Sequence, residues 1–66
     1  MEITVNGQKK EYFGAPLMTG LLEFLGISPR PVVVERNLRL VPRGELDQEP
    51  VADGDTIEII RFVGGG

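Results

Sequence analysis

Asn6-Gly7, set between two alternating runs, constrains this chain more than any other dipeptide in it. A two-residue type I′ turn needs positive φ at both central residues, and Asn-Gly meets that demand best. Before it, Met1 to Val5 alternates, with Ile3 and Val5 on one face and Glu2 and Thr4 on the other. After it, Gln8 to Phe13 reads as the returning strand, with Lys9, Glu11 and Phe13 alternating against Lys10 and Tyr12. Gly14-Ala15-Pro16 breaks that strand. The whole chain has 66 residues, which allows one domain and one small core beyond this hairpin. A domain of that size buries only about 60% of its unfolded surface. A deep cleft with its own catalytic machinery is hard to accommodate in it.

A helix is expected next. Met18, Leu21, Leu22 and Leu25 fall at i, i+3, i+4 and i+7, a single apolar stripe. Gly26 stands where a left-handed C-cap belongs, and Ile27 can make the apolar contact that goes with it. Two features work against the helix. Leu17 occupies the N-cap position, where Ser, Thr or Asp is preferred. Gly20 lies inside the helix and costs about 1 kcal/mol relative to alanine. Packing, rather than propensity, must hold it.

Beyond the stiff loop Ser28-Pro29-Arg30-Pro31, the β-branched run Val32 to Glu35 reads as a central strand. Arg36-Asn37 turns it, Leu38 to Val41 returns, and Pro42 ends the pairing. Gly44 to Ala52 is expected to be a polar connection. Asp53-Gly54-Asp55 is a tight turn, and Thr56 to Val63 is the last strand. The order is hairpin, helix, two short strands, connection, final strand. It describes an α+β roll of the β-grasp kind, a mixed sheet of four to five strands with one main helix packed across it. The first and last strands are expected side by side and parallel at the centre. Residues 1–63 form the domain and 64–66 a flexible glycine tail.

Composition narrows the function. Cysteine and histidine are absent, which removes a thiolate nucleophile, cysteine metal sites and the commonest general base. Seven Lys and Arg against ten Asp and Glu give a net charge of −3, a poor match for nucleic acid. No stretch approaches the roughly 20 apolar residues of a membrane span. The opening Met1-Glu2-Ile3-Thr4 has neither a basic n-region nor an apolar h-region, so a cytoplasmic location is expected.

The chain closes on Phe62-Val63-Gly64-Gly65-Gly66, directly after the strand-like run. Glycine has the most backbone freedom to lose, so this end is expected to be mobile. Extended, three glycines reach roughly 10 Å, and no peptide is narrower.

With these residues in view, the chain resembles the sulfur carrier proteins of thiamine biosynthesis (the ThiS family), which have a ubiquitin-like β-grasp fold. Ile3-Thr4-Val5-Asn6-Gly7 is similar to the family's first hairpin, and Leu21-Leu22-Glu23-Phe24-Leu25-Gly26-Ile27 to its helix. Val34-Glu35-Arg36-Asn37 followed by Val41-Pro42-Arg43 is similar to its middle segment. Asp53-Gly54-Asp55, Ile57-Glu58-Ile59-Ile60 and Val63-Gly64-Gly65-Gly66 match its C-terminal signature. Leu38 stands where a glycine often follows the asparagine, and Leu17 where a threonine often caps the helix.

The resemblance implies carriage rather than catalysis. An E1-like adenylyltransferase would use ATP to adenylate the Gly66 carboxylate. A sulfur donor, such as a cysteine desulfurase or a persulfide protein, would displace AMP and leave a thiocarboxylate. Thiazole synthase would receive the sulfur. Gly64 and Gly65 would thread into the partner, the carrier would be monomeric when free, and it would bind no cofactor and no metal. Rival readings are a sister carrier for molybdopterin synthesis or tRNA thiolation, a protein modifier joined to lysines, and a passive interaction module.

Other residues divide between docking and ordinary surface. If Ile57 and Ile59 face the core, Ile60 and Phe62 face away, and Val33 shares that outer face. Together with Val63 they are the expected partner-docking patch. Arg43 is a partner-binding cation or, by default, a solvated charge. Asp53 and Asp55 read as turn chemistry. Glu45, Asp47 and Glu49 read as a solvated acidic loop that steers a basic partner weakly.

Overall fold

A computed structural model describes residues 1–61; the expected tail Gly64 to Gly66, together with Phe62 and Val63, lies outside the described residues. The elements are β1 (Glu2–Val5), β2 (Gln8–Glu11), α1 (Met18–Phe24), β3 (Val32–Arg36), β4 (Arg39–Val41), a 3₁₀ turn (Arg43–Glu45) and β5 (Thr56–Arg61). One sheet holds all five strands in the order β2-β1-β5-β3-β4. β1 and β5 are parallel at its centre and the other pairs are antiparallel. This is the expected mixed β-grasp sheet with one helix.

The hairpin turns at Asn6-Gly7 with φ of 48° and 82°, the positive pair that its sequence demands. The inward residues of the strands, Ile3, Val5, Val32, Val34, Val41, Ile57 and Ile59, are all buried. They form one core with Met18, Leu21 and Leu22 of α1. The helix ends as its sequence suggests. Gly26 takes φ +71°, its N–H donates to the Glu23 carbonyl (3.0 Å), and the Ile27 N–H donates to the Leu22 carbonyl (2.8 Å). That pair of bonds is the Schellman motif.

The helix start differs from what its residues suggest. Leu17 offers no side-chain cap. Instead the segment before β5 folds back against α1. Met18 N–H donates to the Glu49 carbonyl (2.8 Å), Thr19 N–H to the Leu46 carbonyl (3.2 Å), and Val51 N–H to the Pro16 carbonyl (3.0 Å). Backbone carbonyls from a distant loop thus satisfy donors that a capping side chain would otherwise take. The connection 44–52 is therefore not simply polar. Its Leu46 and Val51 are buried in the core, each contributing about 1.5–3 kcal/mol.

Gly20 also acquires a reason. The Tyr12 ring is fully buried beside the helix, and its hydroxyl donates to the Ala15 carbonyl. A Cβ on Gly20 would lie 2.7 Å from Tyr12 Oη, and one on Gly14 would lie 2.5 Å from it. Two glycines make room for one tyrosine, whose ring meets Phe24 edge-on at a centroid distance of 5.2 Å. Burial, with Glu23 nearby, pushes the Tyr12 phenol above its ordinary pKa.

Candidate functional site

The chemistry expected of this chain lies beyond the end of β5, so what fixes β5 positions the site. Two turn asparagines grip it. Asn6 Oδ1 accepts from the Ile59 N–H (2.7 Å) while its Nδ2 donates to the Ile59 carbonyl (3.1 Å). These bonds extend the parallel β1–β5 pairing past the last residue of β1. Asn37 N–H donates to the Thr56 carbonyl (2.8 Å), and the Thr56 N–H donates to Asn37 Oδ1 (2.9 Å). β5 is held along its length by β1, by β3 and by these two side chains.

Asp53 and Asp55 are turn residues, as their spacing suggests, and they do more than turn. Asp53 Oδ1 accepts from the Glu2 N–H at 2.6 Å. Asp55 is buried and accepts from Arg36 Nε (2.7 Å), Asn37 Nδ2 (3.0 Å) and the Ala52 N–H (2.8 Å). Burial alone raises the Asp55 pKa, but the hydrogen bonds from Arg36, Asn37 and Ala52 outweigh it and hold the carboxyl below its ordinary value. Arg36 Nη1 also reaches Glu49 Oε2 at 3.2 Å. The expectation of a solvated Glu49 is thereby corrected: its carboxylate is committed to Arg36. Among the described residues, no buried side-chain polar atom lacks a partner and no cluster of acidic residues has the arrangement of a metal site.

β5 turns Ile57 and Ile59 into the core and Ile60 outward, where half of Ile60 is exposed. Val33 and Ile60 are Cα partners on β3 and β5, so the structure brings these two expected docking residues together. Phe62 and Val63 lie outside the described residues. The same face carries Leu40, which the sequence reading did not single out; it pairs with Glu35 and is 62% exposed. The alternation of Leu38 and Leu40 against Arg39 and Val41 was the available signal. Glu35 and Glu58 are also Cα partners, and like charges directly opposite each other oppose pairing. The outer face is thus apolar beside β5's exit and acidic behind it.

Residues 3–66 match the ThiS family. The chain belongs to that family. It is similar over its whole length to the solved structure of a thiamine biosynthesis protein (ThiS) from Geobacter metallireducens, at 38% identity and a TM-score of 0.82, with all of both chains covered. The solution structure of a thiamine biosynthesis protein from Geobacter metallireducens aligns with a TM-score of 0.79 and is covered over 88% of its length. Two curated relatives are named thiazole synthase. The one from Paramagnetospirillum magneticum is 41% identical over all 66 residues, and the one from Magnetococcus marinus is 38% identical. This ThiS-family chain spans 20% of the length of each of those relatives.

Proposed function

We propose that this chain is a sulfur carrier of thiamine biosynthesis, a co-substrate rather than an enzyme. The observation that carries this reading is the likeness to the Geobacter ThiS protein along the full length of both chains. In the proposed cycle an E1-like adenylyltransferase joins the Gly66 carboxylate to AMP from ATP and releases pyrophosphate. A carboxylate is a poor electrophile, and AMP gives it a good leaving group. A persulfide from a sulfur donor then displaces AMP to give an acyl disulfide, and a second thiol attacks the donor's sulfur, forming a disulfide with it and releasing the thiocarboxylate. Gly64 and Gly65 pass the partner's constriction without side-chain bulk. The reacting carbon must reach near-attack distance of the nucleotide, which gives the tail's length its importance.

Val33 and Ile60, with Leu40 alongside, form the surface that the adenylyltransferase covers. The likeness to a region within two proteins named thiazole synthase supports thiazole synthase as the protein that takes the sulfur. The cycle belongs to the cytoplasm.

The test is intact-mass analysis of the carrier incubated with the adenylyltransferase, ATP and a persulfide donor. Exchange of one oxygen for one sulfur is expected, and only when ATP is present. No mass change with a demonstrably active partner refutes the reading. Deletion of Gly66 is expected to abolish ATP–pyrophosphate exchange, because it withdraws the carboxylate by about 3.3–3.6 Å.

A further inference from the structure

Of the chain's seven basic residues, Arg36 is bound to Asp55 and Glu49. Three of the others gather at one end of the sheet. Arg61, the last residue of β5, is the Cα partner of Val32, and Arg30 lies two residues before Val32. Arg43 follows β4 at the same end, two residues past Val41, which pairs with Val34. None of the three has an ion-pair partner among the described residues. Between Arg30 and Arg43 lies an open cleft of about 350 Å³. Thr19, Pro29, Gly44 and the buried Leu46 line it together with the two arginines, and Asp47 is the one acidic residue in the lining.

We infer that this cleft seats a carboxylate side chain of the adenylyltransferase that receives the tail. The inference rests on the carrier reading and adds a recognition site to it. The apolar lining suits the methylene stem of a Glu or Asp, and the two planar guanidinium forks suit its head. With the tail extended into the partner, the nucleotide phosphates would lie beyond reach of the cleft. The reacting carbon sits on Gly66, five residues past Arg61 and up to about 17 Å beyond it when extended. An anion at the cleft therefore belongs to the mouth of the partner's channel, not to the ATP at its end. Opposite charge at that mouth orients the carrier tail-first and speeds encounter. This acidic chain would otherwise repel an acidic partner surface. The arginine end makes the approach directional.

ATP–pyrophosphate exchange catalysed by the adenylyltransferase, measured against carrier concentration, tests it. Arg30→Ala and Arg43→Ala are each expected to raise the half-saturating concentration about 5-fold and to leave the maximal rate unchanged. Arg30→Lys and Arg43→Lys should recover part of the loss. Salt should raise the half-saturating concentration of the unaltered carrier and barely affect the double alanine variant. Circular dichroism should be unchanged, since both arginines are exposed. Unaltered half-saturation in both alanine variants overturns the inference, and so does a matched drop in maximal rate. Inorganic phosphate is titrated into the free carrier with amide NMR shifts as the readout. Saturable shifts at residues 29–47 would assign the cleft to phosphate and also overturn it. Failure of the carrier reading has a different signature: a variant lacking Gly66 that still supports normal exchange.

Discussion

Replacing Leu38 with glycine should stabilise this protein. Asn37 and Leu38 form the two-residue turn between β3 and β4, with φ of 52° and 69°. Asparagine tolerates that conformation because its short polar side chain bonds locally. Leucine does not, and its Cβ crowds the following carbonyl at a cost of about 1–2 kcal/mol. Nothing offsets that cost by burial, because Leu38 is 88% exposed. Glycine removes the strain but gives the unfolded chain more freedom, about 0.5–1 kcal/mol in the opposite direction. The central values leave a net gain of about 0.75 kcal/mol, or roughly 3–6 °C in Tm for a domain of this size. Urea unfolding followed by circular dichroism should show a higher midpoint with an unchanged slope. Leu38→Ala separates the causes, because alanine keeps the left-handed strain and loses only the side chain. Equal stabilisation by alanine and glycine would refute the argument from backbone strain, as would an unchanged or lowered midpoint for Leu38→Gly.

Gly20→Ala should lower Tm despite its gain of about 1 kcal/mol in helix propensity, because the new Cβ would stand 2.7 Å from Tyr12 Oη; a higher Tm would mean that the tyrosine yields easily. Stability should fall as pH drops through the depressed pKa of Asp55, below its ordinary value of 3.8. The sign follows from linkage: the unfolded carboxyl binds its proton first, so this contribution is complete above about pH 4 and is lost below it. Asp55→Asn should cost about 2–4 kcal/mol at pH 7 by leaving Arg36 with Glu49 alone, and should flatten the acid limb of a stability profile measured by chemical denaturation. Ile60→Asp should weaken adenylyltransferase binding by at least about 10-fold in calorimetric titration while near-native circular dichroism persists; unchanged affinity would return Ile60 to plain strand surface.

Much of this molecule is legible in short stretches of its sequence. The Asn6-Gly7 turn, the apolar stripe of α1, the Gly26 cap and the inward–outward alternation of Ile57, Ile59 and Ile60 each depend on residues within one turn or a few strand positions. Local sterics and the two side-chain periods decide such features, so the sequence alone determined them. Strand ends were less legible: β2 ends at Glu11, Tyr12 still exchanges backbone hydrogen bonds with Met1, and its side chain enters the core beside the helix. What tertiary structure decided are contacts between segments far apart along the chain. Asn6 grips Ile59 across 53 residues, and Arg36 meets Asp55 across 19. The segment holding Leu46 and Glu49 supplies the helix cap that Leu17 cannot, and Tyr12 turns an apparent defect at Gly20 into a requirement. In the sequence Arg30 belongs to a stiff loop and Arg43 reads as a partner-binding cation or a solvated charge, and only the ends of β3 and β4 bring them to one cleft. Neither propensity nor period records which distant group will satisfy a donor, a charge or a void. That is settled when the chain closes its one core and every buried polar group must find a partner.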